Sequence, residues 1–188
     1  MTEQKIILIT GANGLCGSSL KRISTQYNMY KCRFVGCEYG DLSILPNVEK
    51  MYADIRPDYV VHTSAESGRN GNELQHADIF YQNMLMNTYM IDVAFQYRVE
   101  KMIFFSSMCI FPTGHTIMDE KYIQDGMISS NNFAHGYAKR MADIQIQAYQ
   151  QQYKINNYCS IIPGGIFGPN DTYDIEYGRV IPSLIYKT

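Results

Sequence analysis

The sequence predicts an α/β domain built on a doubly wound parallel sheet, and three observations carry that prediction. Short apolar, β-branched runs alternate along the chain with longer helical patterns. Strands joined through helices pair in parallel, with right-handed crossovers. The strand runs are continuously apolar, as in Lys5–Thr10 (KIILIT), which predicts a sheet covered on both faces. The first run is followed at once by a glycine-rich loop, Gly11-Ala12-Asn13-Gly14-Leu15-Cys16-Gly17, that opens a helix.

Taken in order, residues 5–10 form a buried strand bounded by glycine. Residues 15–27 read as a helix with Leu20, Ile23 and Tyr27 on one face, and 32–37 (CRFVGC) as a second strand. A short helix over 47–56 is stopped by Pro57, and 59–64 (YVVHTS) forms a third strand. A long helix over 77–98 carries Phe80, Met84, Ile91 and Phe95 as its apolar stripe. Residues 101–106 (KMIFFS) form a strand, 107–131 a loop, 132–153 a second long helix and 158–163 (YCSIIP) a fifth strand. After Gly164 the pattern weakens, and 180–187 starts one more helix.

Composition bounds the function. A chain of 188 residues that is 46% hydrophobic can bury one core. A formal charge of −2, without a run of like charges, argues against a nucleic-acid or anionic membrane surface. No apolar stretch approaches the ~20 residues of a membrane span, and the N-terminus enters a strand without a signal-peptide pattern. Five cysteines (Cys16, Cys32, Cys37, Cys109 and Cys159) are an odd number without a C-x-x-C pair, which fits free thiols in a reducing cytoplasm. His62 lies on a buried strand and His76 precedes a helix; neither has ligand spacing, so no metal site is expected.

The loop carries the first function. Gly11 permits a tight turn, Gly14 lets backbone approach a pyrophosphate, and Gly17 lets the helix pack closely on the strand. Free N–H groups and the positive end of the helix dipole then face the phosphates. Between a buried strand and an amphipathic helix, these glycines predict a dinucleotide-binding fold of the Rossmann type.

The spacing G-x-x-G-x-x-G resembles the extended short-chain dehydrogenases that act on nucleotide sugars. Ser106-Ser107-Met108-Cys109-Ile110-Phe111-Pro112 ends a strand, Tyr137-Ala138-Lys139-Arg140-Met141 lies on the next helix, and Phe167-Gly168-Pro169-Asn170-Asp171 follows the next strand. With Ala77-Asp78 and Tyr81-Gln82-Asn83-Met84, these segments resemble the GDP-L-fucose synthase family over nearly the whole chain. That resemblance implies an NADPH-dependent 3,5-epimerase and 4-reductase of a GDP-4-keto-6-deoxyhexose. It implies a homodimer through helices 77–98 and 132–153, and a substrate-binding part that begins only at about residue 180. Ser107 and Lys139 match two members of the reductase triad, Lys139 also bridging the nicotinamide ribose, and Cys109 matches the base beside the keto group. The implied cofactor contacts are Gly11, Asn13, Gly14, Leu15 and Gly17 in the loop, Asp41 and Leu42 near the adenine, and Ser64, Ala65 and Pro163 at strand ends.

The chain departs from the family at telling places. His135 stands where the catalytic tyrosine belongs, one helical turn before Lys139. An imidazole beside an ammonium stays mostly neutral at neutral pH, so it is a poor proton donor to an alkoxide, though its N–H could still bond the ketone. Tyr137 falls on another face of the helix. Arg179 replaces the histidine acid of the epimerisation; a guanidinium cannot cycle a proton, but it can stabilise a thiolate or bind a diphosphate. Ser67-Gly68-Arg69 replaces a Val-Gly-Gly run, and Asn170 replaces a histidine. After the second strand, Gly36, Cys37 and Glu38 offer a carboxylate that suits the free 2′-OH of NAD, whereas the resemblance favours NADP. Three readings follow: the enzyme, a dinucleotide-binding module with weakened chemistry, and a partner subunit.

Overall fold

The computed structural model describes residues 4–66, 76–175 and 178–188. Five strands, β1 (Lys5–Thr10), β2 (Tyr30–Val35), β3 (Tyr59–His62), β4 (Lys101–Phe105) and β5 (Tyr158–Ile161), form one sheet in the order β2-β1-β3-β4-β5. All neighbours are parallel, in registers such as Ile9↔Phe34 and Ile9↔Val61. The helices are α1 (Leu15–Ser24), α2 (Leu45–Ile55), α3 (His76–Gln96), α4 (Phe133–Tyr153) and α5 (Val180–Tyr186). The expected alternation stands, with small shifts at the ends. Pro46 is accepted in the first turn of α2, where its missing N–H costs nothing, so this helix starts ahead of residue 47. β2 stops at Val35, whose carbonyl accepts from the Ala12 N–H at 3.0 Å and ties the strand end to the glycine loop. The 107–131 loop is folded by three short 3₁₀ turns, at Met108–Ile110, Glu120–Tyr122 and Ser130–Asn132, and by a bridge between Pro112 and Ile128.

Alternation along each strand sends successive side chains to opposite faces of the sheet. One face presents Leu8, Val60, Met102, Phe104 and Tyr158, all buried under α2, α3 and α4. Each such side chain contributes roughly 1.5–3 kcal/mol on leaving water. On α3 the buried stripe runs through Ile79, Asn83, Met86, Met90, Ile91, Val93 and Ala94, and Phe80, expected inside, is exposed. Phe95 instead stacks on Tyr153 of α4 with ring centroids 4.3 Å apart.

The other face is covered more loosely. Among the described residues it carries α1, whose Leu20 and Ile23, with Tyr27 just past the helix, line a groove of about 240 Å³ over Ile7, Ile9, Phe34 and Val61. Ile23 and Tyr27 stay exposed. Towards β5 the same face leaves Ile103, Phe105 and Cys159 half-buried and Ile161 exposed. Among the described residues, helices pack closely on one side of strands that are apolar on both.

Candidate active site

The chain leaves β1 for β2 on one side and leaves β3 for β4 on the other, so the carboxyl ends of β1 and β3 flank a crevice where sheets of this type bind ligands. The glycine loop lines it. Gly11 has φ +72°, and a Cβ there would lie 2.7 Å from Thr63 Oγ1 and 2.8 Å from the Ser64 nitrogen. A Cβ on Gly17 would lie 2.2 Å from the Gly11 carbonyl oxygen, so only glycine allows α1 to start this close to the loop. Gly14 is the N-cap of α1 without a side-chain cap, which leaves first-turn N–H groups for a ligand. The resulting cleft, about 370 Å³, is lined by Gly11, Gly14, Leu15, Cys16, Thr63, Ser64, Ala65, Ser107, Lys139 and Pro163, among others.

A second cleft of about 400 Å³ adjoins it, lined by Met108, Cys109, Asn131, Ala134 and His76, among others. Ser107, His135, Pro163, Gly164 and Arg179 line both. A ligand in the first cleft and one in the second would therefore meet at Ser107 and His135.

The side chains at this junction are held in different ways. Ser107 ends the β4 segment, and its hydroxyl accepts from the Cys109 N–H at 3.3 Å, capping the Met108–Ile110 turn that carries Cys109. Lys139 is buried; its ammonium donates to the Phe105 carbonyl at 2.8 Å and lies 4.5 Å from the Phe104 ring centroid. Burial pulls its pKa down to about 7. His135 is driven to about 4, first by burial and then by the Lys139 charge, against a hydrogen bond to the Glu66 backbone. Its Nδ1 is buried without a hydrogen-bond partner among the described residues. At neutral pH the ring is an uncharged group. Arg179 caps α5 and donates to the Ile166 carbonyl at 3.3 Å. Arg179 and Lys139 both act on Cys16, pulling its thiol pKa down against the larger upward effect of burial.

Other expected contacts lie elsewhere. Asp41 accepts from the Ser43 N–H at 2.8 Å in the turn before α2, and Leu42 is in the hydrophobic core. Neither lines these two clefts, nor does Asn13, whose side chain lies against Gly36. Tyr137 packs edge-on against Phe133, with the Arg140 guanidinium 5.3 Å from its ring, away from the junction. Asn170 takes a left-handed φ of 72°, which asparagine tolerates. Ser67, Gly68 and Arg69 lie outside the described residues. His62 is a core residue, with Nδ1 2.7 Å from Thr10 Oγ1 and Nε2 3.3 Å from Asn87 Oδ1.

Two contributors went unseen in the sequence. Thr63 closes the crevice against Gly11, its hydroxyl donating to the Thr10 carbonyl at 2.7 Å. Arg140, buried, donates to the Ile110 carbonyl at 3.1 and 2.6 Å and to the Gly126 carbonyl at 2.7 Å. It pins both ends of the loop that carries Cys109 to α4. An arginine beside Lys139 on a long helix was the available signal, but nothing local marked it as inward.

With this geometry in place, kinship can be assigned. The family described as NAD dependent epimerase/dehydratase matches residues 7–188. This chain belongs to that family. It is similar to a probable GDP-L-fucose synthase of Drosophila melanogaster, at 33% identity over 97% of the chain and 58% of that protein. A crystal structure of a GDP-L-fucose synthetase from Naegleria fowleri superposes with a TM-score of 0.90 at 30% identity, over 100% of this chain and 58% of that one. The same protein bound to NADP superposes at 0.87 with 29% identity, over 100% of this chain and 62% of that one. The chain thus spans just under three fifths of such relatives.

Proposed function

We propose that this chain is the dinucleotide-binding part of an epimerase and reductase acting on a GDP-4-keto-6-deoxyhexose, with NADP(H) as its cofactor and NAD(H) as the alternative. One observation carries the reading: the glycine-lined cleft and the Cys109 cleft share Ser107, His135 and Arg179 as a common wall. The cradle at Gly11 and Gly14, which a Cβ would crowd or cap, fits a pyrophosphate. Bound there, the reduced nicotinamide would supply the hydride that reduces the sugar ketone.

The chain's own groups divide the remaining work. Lys139 would hold the ribose hydroxyls, and Ser107 would bond the ketone oxygen. Cys109 would take the proton beside the ketone, with Arg179 stabilising the anion or the sugar diphosphate. His135 would contact the ketone region without supplying its proton, because a ring of pKa about 4 is almost wholly neutral at pH 7. Phe80 and Tyr81 on α3 and Ile144 on α4 are exposed and suit a homodimer face. Five free cysteines suit a reducing cytoplasm.

A second reading, a dinucleotide-binding module or partner subunit with weakened chemistry, is favoured by His135 and Arg179 at the two acid positions. Mixing the chain with NADPH and a GDP-4-keto-6-deoxyhexose separates the two. Loss of NADPH absorbance with a reduced sugar as product supports the enzyme. Binding without oxidation leaves the module.

A further inference from the structure

We propose that His76 is the acid of the epimerisation in this chain: from the first turn of α3 it delivers a proton to the carbon beside the sugar ketone, on the side opposite Cys109. The proposal rests on the epimerase reading above. Inverting such a carbon takes two groups that exchange protons, a base that removes one on one face and an acid that supplies one on the other. Among the described residues, the titratable lining of the Cys109 cleft is Cys109, His135, Arg179 and His76. In the epimerase reading Cys109 is the base. Arg179 stays protonated throughout, so it cannot give a proton and recover it. His135, driven to about 4 by burial and the Lys139 charge, is uncharged at neutral pH and holds no acidic proton to give. His76 is left, and imidazole is the side chain that takes up and releases a proton most readily near neutral pH.

The placement agrees. His76 opens α3 and is half-buried on the cleft wall. Ile79, three residues on and buried, lines the same cleft, so this face of the first turn of α3 is turned towards it. Cys109 rides the Met108–Ile110 turn after β4. The two groups thus reach the cleft from separate elements, which lets them approach one carbon from different sides. In the step itself, the Cys109 thiolate takes the proton and the C–H electron pair passes into the enolate. The enolate carbon then takes a proton from the His76 imidazolium. Thiol and imidazole return to their starting states by exchange with water, and no oxidant or reductant is consumed.

Proton NMR of a GDP-4-keto-6-deoxyhexose in heavy water, with the chain and without NADPH, tests this on wild type, His76→Gln and Cys109→Ser. Deuterium at the carbon beside the ketone and the configuration of that carbon are read separately. In His76→Gln we expect inversion to fall by about a hundredfold, the scale of a lost general acid, while exchange with retained configuration continues through Cys109. Cys109→Ser should lose both. Inversion in His76→Gln within about threefold of wild type, far short of a lost acid, overturns the proposal and leaves the epimerase reading standing. Equal loss of exchange and inversion in His76→Gln also overturns it, because losing the acid spares the base. Absence of exchange in wild type overturns the epimerase reading, and the proposal with it.

Discussion

Along the carboxyl edge of the sheet, the stretch over β1 and β3 is built mainly from backbone, whereas the stretch over β4 and β5 is built from side chains. Over β1, Gly11 and Gly14 line the cleft and the buried Gly17 packs behind them, and added Cβ atoms at Gly11 and Gly17 would collide with other backbone. Over β4, Ser107, Cys109, His135, Lys139 and Arg179 line two adjoining clefts from the turn after β4, from α4 and from the start of α5. Backbone architecture cannot be exchanged without disturbing the fold. A side chain at a cleft wall can be exchanged with the helix beneath it intact, and His135 and Arg179 sit at such positions.

The comparison breaks hardest at Gly17. Gly17→Ala places a methyl 2.2 Å from the Gly11 carbonyl. We expect a loss of about 2–3 kcal/mol by chemical denaturation, together with loss of dinucleotide binding. A stable variant that still binds would mean that backbone closeness is not what shapes the cradle.

Arg140→Met tests the other half. It leaves the Ile110 and Gly126 carbonyls without their charged donor, at a cost of about 2 kcal/mol. Cys109 should then react faster with a neutral alkylating agent, because the turn that carries it has lost its anchor, while dinucleotide affinity should change little. Unchanged alkylation would place the control of that turn elsewhere, with the Ser107 cap as the first candidate.

Acid pH gives a shallower effect. His62 is depressed to about 3 by burial and the Lys139 charge, and His135 to about 4 by the same two causes. Each is neutral in the folded chain and titrates near 6.5 when unfolded, so the unfolded state binds more protons below that pH. Stability should therefore fall as pH drops from 6.5 towards 4, by at most about 1.4 kcal/mol per pH unit for each histidine. His135→Gln should make that slope shallower; an unaltered slope would mean that His135 does not enter the fold in neutral form.

What could be read from the sequence divides along the same line. The order of elements and the glycine cradle were legible, because a buried strand, three spaced glycines and a helix leave few other arrangements. The convergence of Ser107, Cys109 and Lys139 was legible through resemblance. The looseness of the groove under α1 was not: an apolar run such as KMIFF records that a strand can be covered on both faces, not how closely. Asp41 and Leu42, expected near the adenine, lie in the turn before α2 and in the core. Arg140 was invisible because its partners are backbone carbonyls 14 and 30 residues away, which no side-chain pattern marks.

The contrast between a backbone-built cradle and a reacting wall built from side chains is tested most directly by His135→Tyr. Dinucleotide affinity and single-turnover oxidation of bound NADPH by a GDP-4-keto-6-deoxyhexose would be measured on the variant and on wild type. We predict equal affinity in the two proteins and reduction faster by about a hundredfold in the variant, the scale of a restored general acid. Equal rates in the two proteins, or no dinucleotide binding by wild type, would contradict the account.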